Sequence, residues 1–201
     1  MKTFKQIFFN VTVLLSATLW MTSCEKSDVK SPSSVSTQVS SNDVLSDEQL
    51  ADKGSLSFSL TAGQSIPVGK VVISKDAQNL YITYITKDGW HLQEVHAKIA
   101  NADTYVPKSN QDLAPGLFPY SQVFTGASCS LLTRYTITIP LSQVNCDNAI
   151  IYAHAAVVKC NDDCVVIQSE TAWGGTIVPP SKGIKWYGYI ICAVREPGGN
   201  K

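Results

Sequence analysis

The chain lacks an excess of charge of either sign, since its 201 residues include 16 Lys and Arg against 16 Asp and Glu. Without a basic field it has no electrostatic means of holding the phosphate backbone of a nucleic acid. A phosphate-binding glycine loop and a His-Glu-x-x-His helix are absent too. Residues 126–130 come near a nucleophile elbow but lack its final Gly. We therefore predict a protein that is not an enzyme, uses no cofactor and binds no nucleic acid.

The N-terminal apolar run, from Ile7 to Met21, is too short for a comfortable membrane span of about 20 residues. Lys2 and Lys5 precede it and small residues follow it, which is the pattern of an export signal over residues 1–23. The sequence Met21-Thr22-Ser23-Cys24 resembles the lipobox of bacterial lipoproteins. That resemblance implies cleavage before Cys24, acylation of its thiol and anchoring in the cell envelope, most simply in the outer membrane. A secretory signal with a chance cysteine is the alternative.

Residues 24–55 are rich in Ser and poor in large apolar side chains. Such a segment cannot bury enough surface to offset the entropy lost on ordering, so we expect a flexible lipidated tether. The mature chain, without Lys2 and Lys5, carries two more acidic than basic residues. Membrane binding should therefore depend on the lipid and not on a basic patch.

From Leu56 to the end of the chain the pattern changes to short runs typical of strands, separated by regular turn signals. Asp88-Gly89 predicts a hairpin turn, and residues 100–130 predict a long irregular segment of the kind that is often functional. No amphipathic helix of useful length is evident. We expect an all-β domain over residues 56–201, an antiparallel β-sandwich of seven to nine strands. The main predicted strands are 71–73, 80–85, 90–99, 135–139, 149–159, 165–173 and 185–195.

Several phrases occur in an order that resembles an uncharacterised secreted module of bacterial surface proteins. They are Leu80–Tyr84, Trp90–His96, Tyr135–Leu141, Tyr152–Ala155 and the signature Glu170-Thr171-Ala172-Trp173-Gly174. The resemblance covers about residues 65 to 195 and implies no activity. The module usually reads Glu-Thr-His where this chain has Glu94-Val95-His96, so the departure keeps both the acid and the imidazole.

Four polar residues lie where a site could form. Glu94 and His96 are two apart and share one face of a strand, and His154 is the only polar side chain in an otherwise apolar strand. Glu170 precedes the tryptophan of the signature. We expect these four to meet beneath the 100–130 segment as a hydrogen-bond network. A zinc or copper site and acid–base catalysis are the alternatives.

Five cysteines follow Cys24, an odd number in a chain predicted to reach an oxidising compartment. Cys192 lies in an apolar run and is expected to be a buried free thiol. The disulfide candidates are Cys129, Cys146, Cys160 and Cys164, with Cys160–Cys164 or Cys129–Cys160 as the possible pairings. Sequence alone does not choose between them.

Aromatic side chains near strand ends could form a stacking surface for sugars, and the candidates are Trp90, Tyr120 and Trp173. The leading hypothesis is an envelope lipoprotein whose β-sandwich binds a glycan or a protein partner. The second is a metal-dependent enzyme or metal-binding protein that uses the Glu/His cluster. The third is a structural accessory subunit of an envelope complex.

Overall fold

The computed structural model describes Ser46, residues 54–102 and residues 107–192. The predicted signal peptide, Cys24 and nearly all of the tether lie outside these residues, as does Arg195. Within the described part, no helix is long and apolar enough to cross a membrane. The export and lipidation predictions therefore stay predictions.

The described residues form ten strands and four short 3-10 helices. The strands are β1 (Leu56–Ala62), β2 (Ile66–Lys75), β3 (Asn79–Thr86), β4 (Trp90–Asn101), β5 (Tyr120–Val123), β6 (Arg134–Pro140), β7 (Ala149–Cys160), β8 (Val166–Gly174), β9 (Thr176–Val178) and β10 (Tyr187–Cys192). The 3-10 helices are Pro115–Leu117, Ser128–Ser130, Leu141–Gln143 and Cys146–Asn148.

The strands pair in the order β5-β4-β7-β8-β1-β2-β3-β6, and every pairing is antiparallel. β10 pairs with the first residues of β7 and with β9. The all-β antiparallel prediction is thus confirmed. Ten strands replace the expected seven to nine partly because β5 lies inside the segment predicted to be irregular. Four residues of mixed polarity carry too little pattern to be recognised as a strand.

The sheet curls until its two ends nearly meet. The backbone N–H of Leu92, on β4, donates to the carbonyl of Leu132 at 2.8 Å, and that of Thr86, on β3, donates to the carbonyl of Thr133 at 2.8 Å. The segment before β6 therefore bonds to both β3 and β4. The curled sheet encloses the main core, which contains residues with no exposed surface such as Leu60, Val71, Ile82, Leu92, Val95, Ile139, Ile151, Ala153 and Ala155.

Two local features between β3 and β4 set which residues of β4 face outward. Asp88 and Gly89 have φ values of 54° and 79°, as the predicted turn requires, but β3 and β4 do not pair with each other, so the expected hairpin is not formed. A bulge between Leu92 and Glu94 then inserts Gln93 into the pairing with β7. Because of this extra residue, Leu92 and Val95 both reach the core, while Glu94 lies on the outer face.

One disulfide joins Cys146 to Cys192, with the two Cα atoms 5.5 Å apart. The prediction that Cys192 is a free thiol is wrong, although the residue is buried as expected. The register of β10 explains the pairing, because it places Cys192 opposite Ala149, close to the Cys146–Asn148 turn. Sequence analysis could not supply that register.

The other three described cysteines, Cys129, Cys160 and Cys164, carry free thiols. Neither the Cys160–Cys164 nor the Cys129–Cys160 pairing is therefore formed. Asn161 and Cys164 close the turn between β7 and β8 through a backbone bond of 3.0 Å. The turn itself needs no covalent link.

Candidate functional site

The outer faces of three neighbouring strands bring two histidines and a tryptophan into one row. The register pairs His96 on β4 with His154 on β7, and His154 with Trp173 on β8. The ring centroids of the two histidines are 5.6 Å apart, and those of His154 and Trp173 are 4.8 Å apart in an edge arrangement. All three side chains are buried although they point away from the main core. Something other than the sheet must therefore cover them.

Two loops provide this cover. Leu113 and Phe118, which precede β5, pack with Tyr152 and Trp173 in a second small hydrophobic cluster. Trp186, which precedes β10, packs against the same cluster. Between loops and sheet lies a cavity of about 690 Å³, a size usual for small-molecule sites. Its lining combines apolar and polar groups from Glu94, His96, Asn110, Gln111, Leu113, Ala114, Pro115, Gly116, His154, Ala156, Thr171, Trp173, Lys185 and Trp186.

Asn110 ties the two covering loops together. Its side-chain amide donates to the carbonyl of Gly183 at 2.7 Å, and its side-chain oxygen accepts the backbone N–H of Lys185 at 2.6 Å. One exposed side chain thus joins both loops over the cavity through a donated and an accepted hydrogen bond.

Asp112 organises the first of these loops internally. Its carboxylate accepts the backbone N–H groups of Lys108 and Ser109 at 2.9 and 3.0 Å. The hydrogen bond from Lys108 is the main reason that the pKa of Asp112 is below its usual range. Lys98, on β4, donates to the Asp112 carbonyl at 2.9 Å and joins the loop to the sheet. The roof of the cavity is therefore an ordered element.

Glu94 and His96 form a pair at one side of the cavity. The Nε2 atom of His96 lies 3.0 Å from Oε2 of Glu94, whose side chain is 40 % exposed. From the opposite side of the sheet, the Tyr84 hydroxyl donates to the His96 carbonyl at 2.8 Å. Burial raises the pKa of Tyr84, so this hydroxyl stays protonated and keeps its donor role. Both the ring and the backbone of His96 are thus held.

His154 is neutral at physiological pH, because burial first, and the neighbouring His96 second, lower its pKa to about 3. Its Nδ1 atom is shut off from solvent and has no hydrogen-bond partner. Buried N–H groups without a partner are rarer than buried acceptors without one. This favours the tautomer with the proton on Nε2, the nitrogen left to face the cavity. His154 would then offer a hydrogen-bond donor to a ligand.

The structure brings together three of the four predicted polar residues. Glu170 is separated from them, because alternation along β8 sends Thr171 and Trp173 to the cavity and Glu170 to the opposite face. It accepts instead from the Gln168 amide at 3.0 Å. The hydrogen bond expected of His154 within this network is also absent at its Nδ1 atom. The partner of Glu94 is His96 and not His154.

Only one of the three predicted aromatic residues lines the cavity. Trp173 does so, whereas Trp90 is buried in the main core and Tyr120 packs at its edge, 3.4 Å from Gln143 through its hydroxyl. Trp186 lines the cavity but was not among the predicted aromatic residues. The feature of the sequence that marks Trp186 is its position just after the turn at residues 179–183, since a tryptophan in a loop often serves recognition.

Among residues 54–102 and 107–192, no three His, Cys, Asp or Glu side chains are arranged to hold a metal ion. Glu94, His96 and His154 therefore do not constitute the ligand set that the metal hypothesis needs in this arrangement. No protein-family model, curated protein or solved structure matches this chain. The geometry of the cavity is consequently the main guide to function.

Proposed function

We propose that this protein is an exported lipoprotein, anchored in the bacterial envelope through Cys24, whose β domain binds a glycan in the cavity on the outer face of β4, β7 and β8. The lipobox resemblance and the Ser-rich segment 24–55 support the anchor and the tether. The domain acts as a recognition module and not as an enzyme.

The glycan proposal depends on one observation: the cavity lining combines apolar groups with hydrogen-bonding groups. Trp173, Trp186 and Leu113 offer apolar surface, and Glu94 and His154 offer an acceptor and a donor beside it. A pyranose ring presents apolar C–H groups on its faces and hydroxyl groups around its rim. It therefore matches a site in which aromatic rings and hydrogen-bonding groups lie side by side.

The shape of the site favours a glycan over a protein partner. A cavity roofed by two loops admits a short chain of sugar rings or a chain end, whereas protein partners usually bind through broad patches of about 800 Å² on each side. The near-zero formal charge of the whole chain provides no strong field to steer a charged macromolecule. The neutral state of His154 agrees with an uncharged ligand.

We further propose that the curled sheet is a flattened sandwich and not a round barrel. β3 and β4 are not neighbours in the strand order, yet the Tyr84 hydroxyl on β3 reaches the His96 carbonyl on β4. That contact supports a core thin enough for a side chain of β3 to reach the backbone of β4.

A glycan array with the folded protein tests the binding proposal, with affinities of the best oligosaccharides then measured by calorimetry. We expect Trp186→Ala to weaken binding at least tenfold, because it removes a stacking face. Tyr120→Ala is the matched control, since Tyr120 is an aromatic residue outside the cavity, and it should bind like the wild type. An array without binders, or a loss caused by Tyr120→Ala alone, would refute the proposal.

Membrane fractionation tests the anchor separately. Cys24→Ser should move the protein to the soluble fraction, because the acyl chains provide the membrane affinity. Retention of this variant in the membrane would contradict the lipoprotein assignment and leave the glycan proposal standing.

A further inference from the structure

The turn between β7 and β8 holds Cys164 in an unusual backbone conformation. Its φ of 62° lies in the left-handed region, which costs a residue other than glycine free energy. Asn161 fixes the turn on both sides of Cys164: its carbonyl accepts the Cys164 N–H at 3.0 Å, and its side-chain oxygen accepts the Val165 N–H at 2.8 Å. A conformation that costs free energy and is nevertheless held so firmly suggests a use for the side chain that it positions.

The Cys164 thiol forms a hydrogen bond with the thiol of Cys129, which belongs to a different part of the chain. Cys129 is itself in a rigid place, the 3-10 helix Ser128–Ser130, whose ends are closed by backbone bonds of Ser130 to Ala127 and of Leu131 to Ser128. Two thiols on two fixed turns therefore meet, while the third free thiol, Cys160, lies before the turn that carries Cys164.

We propose that Cys129 and Cys164 are an oxidation site at which this protein forms a second disulfide. Two thiols lose two protons and two electrons to an oxidised dithiol such as a disulfide-exchange partner. That partner's S–S bond breaks to give two thiols as the Cys129–Cys164 bond forms. The Cys146–Cys192 disulfide shows that the fold already accommodates an oxidised pair. Cys160 stays a thiol.

The position of this bond gives it a structural purpose. Immediately after Cys129, the Leu131 carbonyl lies 3.0 Å from Nδ1 of His91, and the Leu132 carbonyl accepts the N–H of Leu92. This is the seam at which the sheet nearly closes. A Cys129–Cys164 bond would tie the seam to the β7–β8 turn and would stabilise the closed sheet by restricting the unfolded chain.

Peptide mapping of the full-length protein, incubated with oxidised glutathione and then alkylated without reduction, tests the site. Trypsin leaves Cys160 and Cys164 in one peptide, so a second protease that cleaves before Asp162 or Asp163 is needed to separate them. We expect the fragment with Cys129 to be linked to the fragment with Cys164, and Cys160 to be alkylated. Cys164 found alkylated, or linked to Cys160, would overturn the proposal.

Two variants connect the bond to stability. After the same oxidation, Cys164→Ser should melt several degrees below the wild type, because it cannot form the second disulfide. Cys160→Ser, the matched control at the neighbouring free thiol, should melt like the wild type and keep the Cys129–Cys164 link. Equal melting of Cys164→Ser and wild type, or loss of the link in Cys160→Ser, would contradict the assignment.

Discussion

The two faces of strand β7 are built from opposite kinds of residues, although they belong to the same twelve-residue strand. Its inner face presents Ile151, Ala153 and Ala155 to a core without exposed surface. Its outer face presents Tyr152 and His154, which are equally buried but lie under loops and beside a cavity. Burial alone therefore does not separate a face that packs in the core from one that lines a cavity. The difference is that the outer face buries the Nδ1 atom of His154 without a hydrogen-bond partner.

The comparison predicts the largest loss of stability on the inner face. Ile151→Ala should lower the free energy of unfolding by about 2–5 kcal/mol, because it removes buried methyl groups and leaves a cavity in the core. Chemical denaturation measures this loss. Glycan affinity per folded molecule should stay unchanged, and a loss of affinity equal to that of Trp186→Ala would show that the two faces are not independent.

The outer face should instead determine how stability depends on pH. The pKa of His154 is about 3 in the folded chain and near 6.5 in an unfolded one. Between these values the unfolded chain takes up a proton that the folded chain does not, so the free energy of unfolding decreases as pH falls from about 6.5 towards 3. The slope contributed by His154 should approach about 1.4 kcal/mol per pH unit.

His154→Leu isolates this contribution and is also informative at neutral pH. The substitution removes a buried nitrogen without a partner and keeps much of the volume, so the cost at pH 7 should stay below about 1.5 kcal/mol. Denaturation at pH 7 and pH 5 should show a smaller loss for the variant than for the wild type. The same pH dependence in both proteins would mean that His154 is not the buried titrating group. Glycan binding should be lost at both pH values.

The hydrogen bond from Tyr84 to the His96 backbone should have a smaller effect on stability. Tyr84→Phe removes the hydroxyl that donates to the His96 carbonyl, a hydrogen bond that contributes about 0.5–1.5 kcal/mol to stability. Thermal denaturation measures it. We also expect a modest loss of glycan affinity, because the backbone under His96 gains freedom. An unchanged stability would show that a water or another donor replaces the hydroxyl.

The smallest effect on stability is expected at the roof of the cavity. Asn110→Ala breaks the bonds to Gly183 and Lys185, but the side chain is exposed, so the free energy of unfolding should change by less than about 1.5 kcal/mol. Affinity should fall by more than stability suggests, because the two loops lose their link over the ligand. Calorimetry compares the variant with Ser109→Ala, which alters the same loop without touching the link between the loops.

The sequence was sufficient to predict the antiparallel all-β class and the Asp88-Gly89 turn, since both follow from local pattern. Alternation also predicted that Glu94 and His96 share one face of a strand, and His154 joins them because β7 pairs beside β4. Glu170 could not be placed in the same way. Its side depends on the register of β8 against β7, and a shift of one residue would reverse it.

The Cys146–Cys192 disulfide and the position of Trp186 could not be predicted either, because both depend on contacts between distant parts of the chain. Cys146 and Cys192 are 46 residues apart in the chain and meet only because β10 returns to the start of β7. Trp186 reaches the cavity through a loop whose course is fixed by Asn110, an exposed residue with no pattern to mark it. Such contacts come from tertiary packing, which no local pattern encodes.

The three histidines of the chain allow the most direct test of the glycan site. The imidazole NMR signals of the folded protein can be followed while the tightest oligosaccharide from the array is titrated in. His96 and His154 line the cavity, whereas His91 bonds to the Leu131 carbonyl outside it and serves as an internal control. The proposal predicts that the signals of His96 and His154 shift with the same saturation curve while that of His91 stays in place. A shift of His91 alone, or saturation of binding without any change at His96 and His154, would contradict it.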